Sequence, residues 1–292
     1  MNIPKRILIT IICVTALVCV TVYFWNDYSN RWAITQYDDN NADQLTFYTL
    51  QNKKGNLIVV DGGWTKQSDY VRAVINELGG HVDMWILSHP HLDHINAFVE
   101  IYQRPNGITI DNIYTVEMAP PKLCKENAPW DDMTAYEDFL KLNIPDLEYL
   151  YEGDELRIAG LKIDILSAYN DHVDELSSDL INDGGLLFKV QGRTESMLFC
   201  SDVGISMSDY LISKYGNDLK SDYLQMGHHG HGGLGDEFYK LVKPKVAFFD
   251  APDWLMVDEA IERNNPKNAK LMRDMGSEIY SFSTAPNQIV LK

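Results

Sequence analysis

The chain has 292 residues, 45% of them hydrophobic, and a formal net charge of −17. That is enough apolar material for one large domain and too much for a disordered chain. So acidic a chain repels polyanions at long range, which disfavours a dedicated nucleic-acid binder but leaves room for a local site where metal ions reverse the field.

The chain opens on the basic MNIPKR, and Ile7 to Trp25 then run without a charge. As a helix that run would cover about 28 Å, close to the ~30 Å hydrocarbon core of a bilayer. Tyr23, Phe24 and Trp25 fit an interfacial aromatic belt, and Lys5 and Arg6 favour an N-terminus inside. The expectation is a cytoplasmic tail (1–6), a single-pass transmembrane anchor (7–25), a linker (26–32) and an extracytoplasmic domain (33–292). Secretion after signal cleavage is the alternative, but the apolar run is long for a signal peptide and no A-x-A-like site follows it.

Beyond the linker, RWAITQY and QLTFYTL read as strands around the turn-rich DDNNAD. GNLIVVDGG reads as a buried strand closing in a glycine turn. SDYVRAVINELGG has a Ser/Asp start, helical spacing of Tyr70, Val71, Val74, Ile75 and Leu78, and a glycine stop. HVDMWILS is the next strand. Residues 117–160 are turn-rich and acidic, with 11 Asp/Glu against 4 Lys/Arg, and TAYEDFLKL is their one clear helix. ELRIAG, LKIDILSA, GLLFKVQG and ESMLFCSD follow as strands. SDYLQMGHHGHGG ends a strand in a His/Gly loop, then DEFYKLV (helix), KVAFFDAP (strand), KNAKLMRDMG (helix), EIYSFS and QIVLK (strands) complete the chain. Two such series fit an α/β architecture in which two mixed sheets pack face to face with helices outside. Cys124 and Cys200 stand far apart and in no CxxC pair, so no thiolate zinc site or disulfide framework is indicated. A Cys124–Cys200 bridge is an alternative to the reading of Cys200 as a small buried apolar residue.

Three histidines and an aspartate fall within six residues in HPHLDH, straight after a strand. In extended backbone, residues two apart point the same way, so His89 and His91 can grip one ion. Asp93 and His94 fall where the next helix begins and can turn to a second position. Two ions need negative charge between them, and Asp202, at a strand end, is the bridging candidate. MGHHGHGG adds the late histidines: one of His228 and His229 should bind the second metal, the other face the substrate as donor or proton shuttle. The flanking glycines let backbone come close. The mix of His and Asp suits two divalent ions, zinc first, with manganese or iron also compatible. Trp64, Trp130, Trp254 and Tyr169 are candidates for an aromatic rim, with ordinary packing as the alternative.

These motifs resemble the metallo-β-lactamase fold superfamily over roughly residues 33–292. HPHLDH is similar to its HxHxDH signature, VVDGG to the strand and Asp-Gly turn beneath the site, and the Ser201–Asp202 pair to its bridging aspartate. The HHG loop, NDGGLLFKV (182–190) and NNPKNAKLMRDMGSEIY (264–280) resemble one branch: the C-terminal domains of competence DNA-uptake channels and teichoic-acid phosphorylcholine esterases. The resemblance implies an αββα sandwich and a two-metal hydrolase. It places Asp61 behind a ligand histidine, orienting it through its other ring nitrogen. It also implies a further histidine on the first metal. His172 is the only histidine between His94 and His228, so it is the candidate, with Asn182 or water in its place otherwise. Gly185 stands where the family has a serine.

The function this implies is hydrolysis of a small-molecule or cell-envelope phosphodiester by a metal-bridging hydroxide, on the outer face of the membrane. Hydrolysis of a β-lactam, lactone or thioester is one alternative, and a non-catalytic surface module that retains the fold is another. Oligomeric state is not legible.

Overall fold

Leu57, Ile58, Val59 and Val60 are all almost fully buried, as a strand covered on both faces must be. They form β3 (Leu57–Asp61) of a seven-stranded sheet ordered β14-β1-β2-β3-β4-β5-β6 in this computed structural model. The structure describes residues 28–38, 43–257, 264–282 and 285–292, with isolated positions 14, 15, 18, 20 and 21. The other strands of this sheet are β1 (Trp32–Gln36), β2 (Phe47–Asn52), β4 (His81–Leu87), β5 (Thr109–Val116), β6 (Leu147–Leu150) and β14 (Asn287–Leu291). β1 takes in Trp32, the last residue of the expected linker, and pairs it with Leu291. From β3 to β6 all pairs are parallel.

The second sheet runs β13-β12-β11-β10-β9-β8-β7. It contains β7 (Glu155–Ile158), β8 (Leu161–Ser167), β9 (Leu187–Gln191), β10 (Ser196–Phe199), β11 (Tyr223–Gln225), β12 (Val246–Phe248) and β13 (Glu278–Tyr280). Its β10–β13 half is parallel.

Alternation along the strands decides what each face meets. Ile58, Val60, Met84 and Ile86 point between the sheets, where they join Ile163, Phe188, Met197 and Phe199. Leu57, Val59, Trp85 and Leu87 point outward. They pack there with Val71, Val74 and Ile75 of α1 (Ser68–Glu77), Ile95, Phe98 and Ile101 of α2 (Leu92–Gln103) and Phe139 of α4 (Thr134–Lys141). Each fully buried side chain of this size stabilises the fold by about 1.5–3 kcal/mol relative to exposure. Among the described residues, further α-helices are α3 (Pro121–Asn127), α5 (Asp171–Leu176), α6 (Leu180–Asp183), α7 (Ser208–Tyr215), α8 (Asp236–Val242), α9 (Asp253–Val257) and α10 (Asn265–Asp274). The acidic middle of the chain therefore holds more order than its composition suggests: α3, α4 and β6.

Among the described residues no helix is long and apolar enough to cross a membrane. The anchor expected over 7–25 lies largely outside the described residues. Cys124 and Cys200 are both free and buried, so the bridge between them is absent.

Candidate metal centre

Parallel strands end on one side of a sheet, and loops that follow their carboxyl ends converge there. In this protein both sheets do so at the same edge. β3 delivers Asp61, β4 delivers Ser88 to His91, β10 delivers Ser201 and Asp202, and β11 delivers His228 and His229. Four non-glycine residues at these turns have positive φ: Asp61 (54°), Ser201 (49°), His228 (49°) and His229 (52°). Such conformations cost on the order of 1–3 kcal/mol each and persist only where surrounding structure imposes them.

That structure is visible. The Asp61 carboxylate accepts from the Ser88 amide (2.7 Å), the Ser88 hydroxyl (2.7 Å) and His94 Nδ1 (2.8 Å). Its backbone oxygen accepts from Trp85 Nε1 at 2.9 Å. The Ser201 turn is held by Gln225, whose Oε1 accepts from the amides of Cys200 and Ser201 at 2.8 and 2.9 Å. Gln225 in turn donates to Asp250 at 3.0 Å, and Gln36 and Tyr48 of the first sheet donate to the same buried carboxylate. One polar cluster thus ties the two sheets together under the site. The HHG loop is braced from α10: Asn265 Nδ2 donates to the His229 carbonyl and Asn268 Nδ2 to that of Gly230, both at 2.9 Å. Gly204, two residues past Asp202, gives its amide to the buried Asp183 carboxylate at 2.7 Å.

The ring nitrogens sort into two groups. His94 Nε2 lies 3.3 Å from Asp202 Oδ1, and His229 Nε2 lies 3.2 Å from Asp93 Oδ2 and 3.4 Å from Asp202 Oδ2. Two ligands of a tetrahedral ion with bonds of ~2.05 Å stand about 3.3 Å apart. Asp93, His94, His229 and Asp202 match that spacing. His94 Nε2, Asp202 Oδ1 and His229 Nε2 are buried without a hydrogen-bond partner among the described residues, as ligand atoms must be. The second group is His89 Nε2 and His91 Nδ1, 3.0 Å apart, with Asp202 Oδ2 3.9 Å from His89. Asp202 therefore stands between the groups, and these residues fit two divalent ions.

Three of the histidines, His89, His91 and His94, have the outer nitrogen fixed, which sets which nitrogen carries the lone pair, whereas His229 Nδ1 is buried with no partner among the described residues. His94 Nδ1 faces Asp61. His89 Nδ1 lies 3.0 Å from Ser201 Oγ and 3.1 Å from Ser88 Oγ. His91 Nε2 lies 2.8 Å from Asp131 Oδ2. Asp131, in the loop between α3 and α4, was missed by sequence reasoning. It is one of the 11 acids of residues 117–160, and nothing in its spacing marks it out.

Electrostatics follow the same division. Burial drives His89 well below its ordinary pKa, with help from neighbouring His94. Burial also opposes charge on His94 and His229, but Asp202 leads the carboxylates that override it. They hold His94 well above its ordinary value and push His229 up to about 10. The same pairing keeps Asp93 and Asp202 far below the usual carboxylate range against their own desolvation.

His228 and His229 take different places. His229 is fully buried among the ligand atoms. His228 is 26% exposed in its side chain, with Nε2 3.6 Å from Asp202 Oδ2 and its ring against His231. His172 is not brought to the centre. Asn170 caps α5 by accepting from the His172 and Val173 amides, and this turns His172 outward. Its side chain is 53% exposed and its ring packs 4.5 Å from Tyr210. Of the aromatic candidates, Trp130 is 72% exposed. With Lys122, Lys125, Glu137 and Asp131 it lines a groove of about 730 Å³.

The family model described as "Metallo-beta-lactamase superfamily" matches residues 43–121. No curated protein matches the sequence. Among solved structures, the metallo-beta-lactamase fold protein YhfI from Bacillus subtilis is 14% identical with a TM-score of 0.54, over 89% of this chain and 99% of that one. A diphosphatase from the PhnP family is 12% identical with a TM-score of 0.52, over 89% and 98%. CmlA, a diiron beta-hydroxylase from Streptomyces venezuelae, is 11% identical with a TM-score of 0.55, over 89% of this chain and 54% of its own. At such identities the likeness establishes the fold and not the reaction. Residues 43–121 thus match the metallo-β-lactamase superfamily, and the two sheets built around them carry that superfamily's fold.

Proposed function

We propose that the protein is a membrane-anchored, extracytoplasmic phosphodiesterase that works with two divalent metal ions, zinc first among them. The observation that carries the hydrolytic part is Asp202, placed between two groups of inward-facing ligand atoms. Bound there, such ions lower the pKa of a water toward neutrality and polarise a phosphoryl oxygen. The chain's own residues do the rest. Asp61, Asp131 and the serines at positions 88 and 201 hold the outer nitrogens of His94, His91 and His89, so the inner ones face the centre. Asp202 offsets part of the positive charge. His228 sits on the solvent side of Asp202, and burial lowers its pKa. It is neutral at pH 7 and offers one N–H to a phosphoryl or leaving-group oxygen.

A phosphorus centre is favoured by the HHG loop with its outward His228, and a diphosphatase of the PhnP family shares the fold. The groove beside Trp130 mixes lysines with acids, which suits a small charged head group better than a long polyanion. The membrane-anchored part rests on the uncharged run Ile7–Trp25 and the basic residues before it.

The test is a metal-replete turnover screen of the full-length protein in detergent. It compares bis(p-nitrophenyl) phosphate, p-nitrophenyl phosphorylcholine, nitrocefin and single-stranded DNA. Turnover of the phosphodiesters is expected to lead. His228→Ala should lower kcat by roughly 10²–10⁴ with metal content retained. Turnover of nitrocefin alone would overturn the choice of bond, and no turnover by a fully loaded protein would favour a binding module. Protease added to intact cells should remove the domain, and full protection would contradict the orientation.

A further inference from the structure

His89 and His91 present two inward nitrogens, and Asp202 adds a third donor at longer range, so the first position has a thin shell. His172 does not complete it. The search for another donor leads to the segment 179–186, which lies directly on the histidine loop. The Leu186 amide donates to the Ser88 carbonyl at 2.9 Å. Gly185 is pressed so close that an added Cβ would stand 3.3 Å from the His89 Cβ and 3.0 Å from Ser201 Oγ. The absence of a side chain at Gly185 thus lets this segment approach His89.

Asn182, in α6, is 94% buried by its 6% relative exposure. Its Nδ2 donates to Asp179 Oδ2 at 2.8 Å, which fixes the amide plane. That bond turns Oδ1 to the opposite side, where it is buried with no hydrogen-bond partner among the described residues. Asp179 in turn lies within electrostatic reach of His91 and Asp131. Asn182 thus adjoins both Gly185, which lies against His89, and Asp179, whose carboxylate interacts with His91. A buried carbonyl oxygen without a donor costs free energy unless something electropositive meets it.

The geometry points to the side-chain oxygen of Asn182 as the protein ligand that completes the first metal position, where the family places a histidine. This rests on the two-metal reading above. It has a chemical consequence. A neutral amide oxygen is a poorer ligand for zinc than an imidazole and a better one for harder ions such as manganese. The first position should therefore bind zinc more weakly than the Asp93/His94/His229 position. The protein should load and lose its ions one at a time.

The experiment is a competitive metal titration of chelator-stripped full-length protein, with elemental analysis and a thermal melt on each sample. Wild type should take up two zinc ions of unequal affinity. Asn182→Ala should leave the tighter ion unchanged and weaken the other by at least the roughly 10–100-fold that outer-shell changes cost. Asn182→His should tighten zinc and weaken manganese at that position. Unchanged affinities in Asn182→Ala would overturn the inference while leaving the two-metal reading intact. Wild type that binds at most one ion would overturn both. If Asn182→Ala loses its cooperative melt, Asn182→His decides: zinc bound no more tightly than in wild type overturns the assignment.

Discussion

Asp131 offers a sharp test of how the centre is held. Asp131→Asn keeps the size of the side chain and removes its charge. The His91–Asp131 contact is 2.8 Å, and the two side chains are only 12% and 16% exposed. A surface ion pair would be worth at most about 1 kcal/mol. This pair is largely shielded from water, so the value for a hydrogen bond to a charged group applies, about 1.5–3 kcal/mol. At ~1.4 kcal/mol per tenfold, that is roughly 10–100-fold in affinity for the ion proposed at His91, in agreement with outer-shell changes elsewhere. The loss should be local, because among the described residues Asp131 pairs with His91 and no hydrogen bond or ion pair joins it to Asp93, His94 or His229. The assay is competitive titration with a chromogenic chelator, read separately for the two ions. Asp131→Asn should lower the affinity of one ion and leave the other unchanged. Unchanged affinity for both would refute the claim that Asp131 sets the His91 ring, and equal loss of both would show that the loop supports the whole site.

Three other outcomes follow from the same physics. Gly230 has φ +88°, and an added Cβ would overlap the fully buried ring of Phe249. Gly230→Ala should destabilise the fold by about 2–5 kcal/mol, the sum of left-handed strain and overpacking, and a denaturant melt that does not move would contradict the packing. In metal-free protein His229 is raised to about 10, so it carries a proton at pH 7 that an incoming ion must displace. Zinc affinity should rise with pH from neutrality toward 10. The apoprotein should keep the His229 contribution to stability below pH ~6.5 and lose it as pH climbs through the folded value. Calorimetry in buffers of different ionisation enthalpy would detect the proton, and no release would count against the electrostatics. Burial pushes the Cys124 thiol up to about 12 and raises that of Cys200 further, so neither should react with a thiol reagent at pH 7.5 until the domain unfolds. Fast labelling of either in the native state would show that the core opens.

What could be read from the chain was set by how local the signal is. HPHLDH declares itself because strand geometry alone puts His89 and His91 on one side. Asp202 and the HHG loop were legible for a related reason, since each directly follows an apolar strand. Asp61 came with them through the family likeness. Asp131 was not legible, because its partner lies 40 residues away and only the packing of α4, just after Asp131, on α2, just after His91, brings the two together. His172 misled for the opposite reason. It was the only histidine in the right interval, and residue type outweighed local geometry. The correcting signal was present: Asn170 followed by Asp171 and Asp174 reads as a helix cap with acids in the first turn. That places His172 at the start of a short exposed helix. Just before and within the acidic middle, β5, α3 and β6 escaped because their exposed faces interrupt the apolar pattern.

The central claim is that two divalent ions share Asp202. Elemental analysis of full-length protein purified in metal-replete detergent buffer tests it most directly. The arrangement of ligand atoms predicts about two ions per chain, and fewer in Asp202→Ala with the fold intact. A wild-type protein that carries no metal under those conditions would contradict the account.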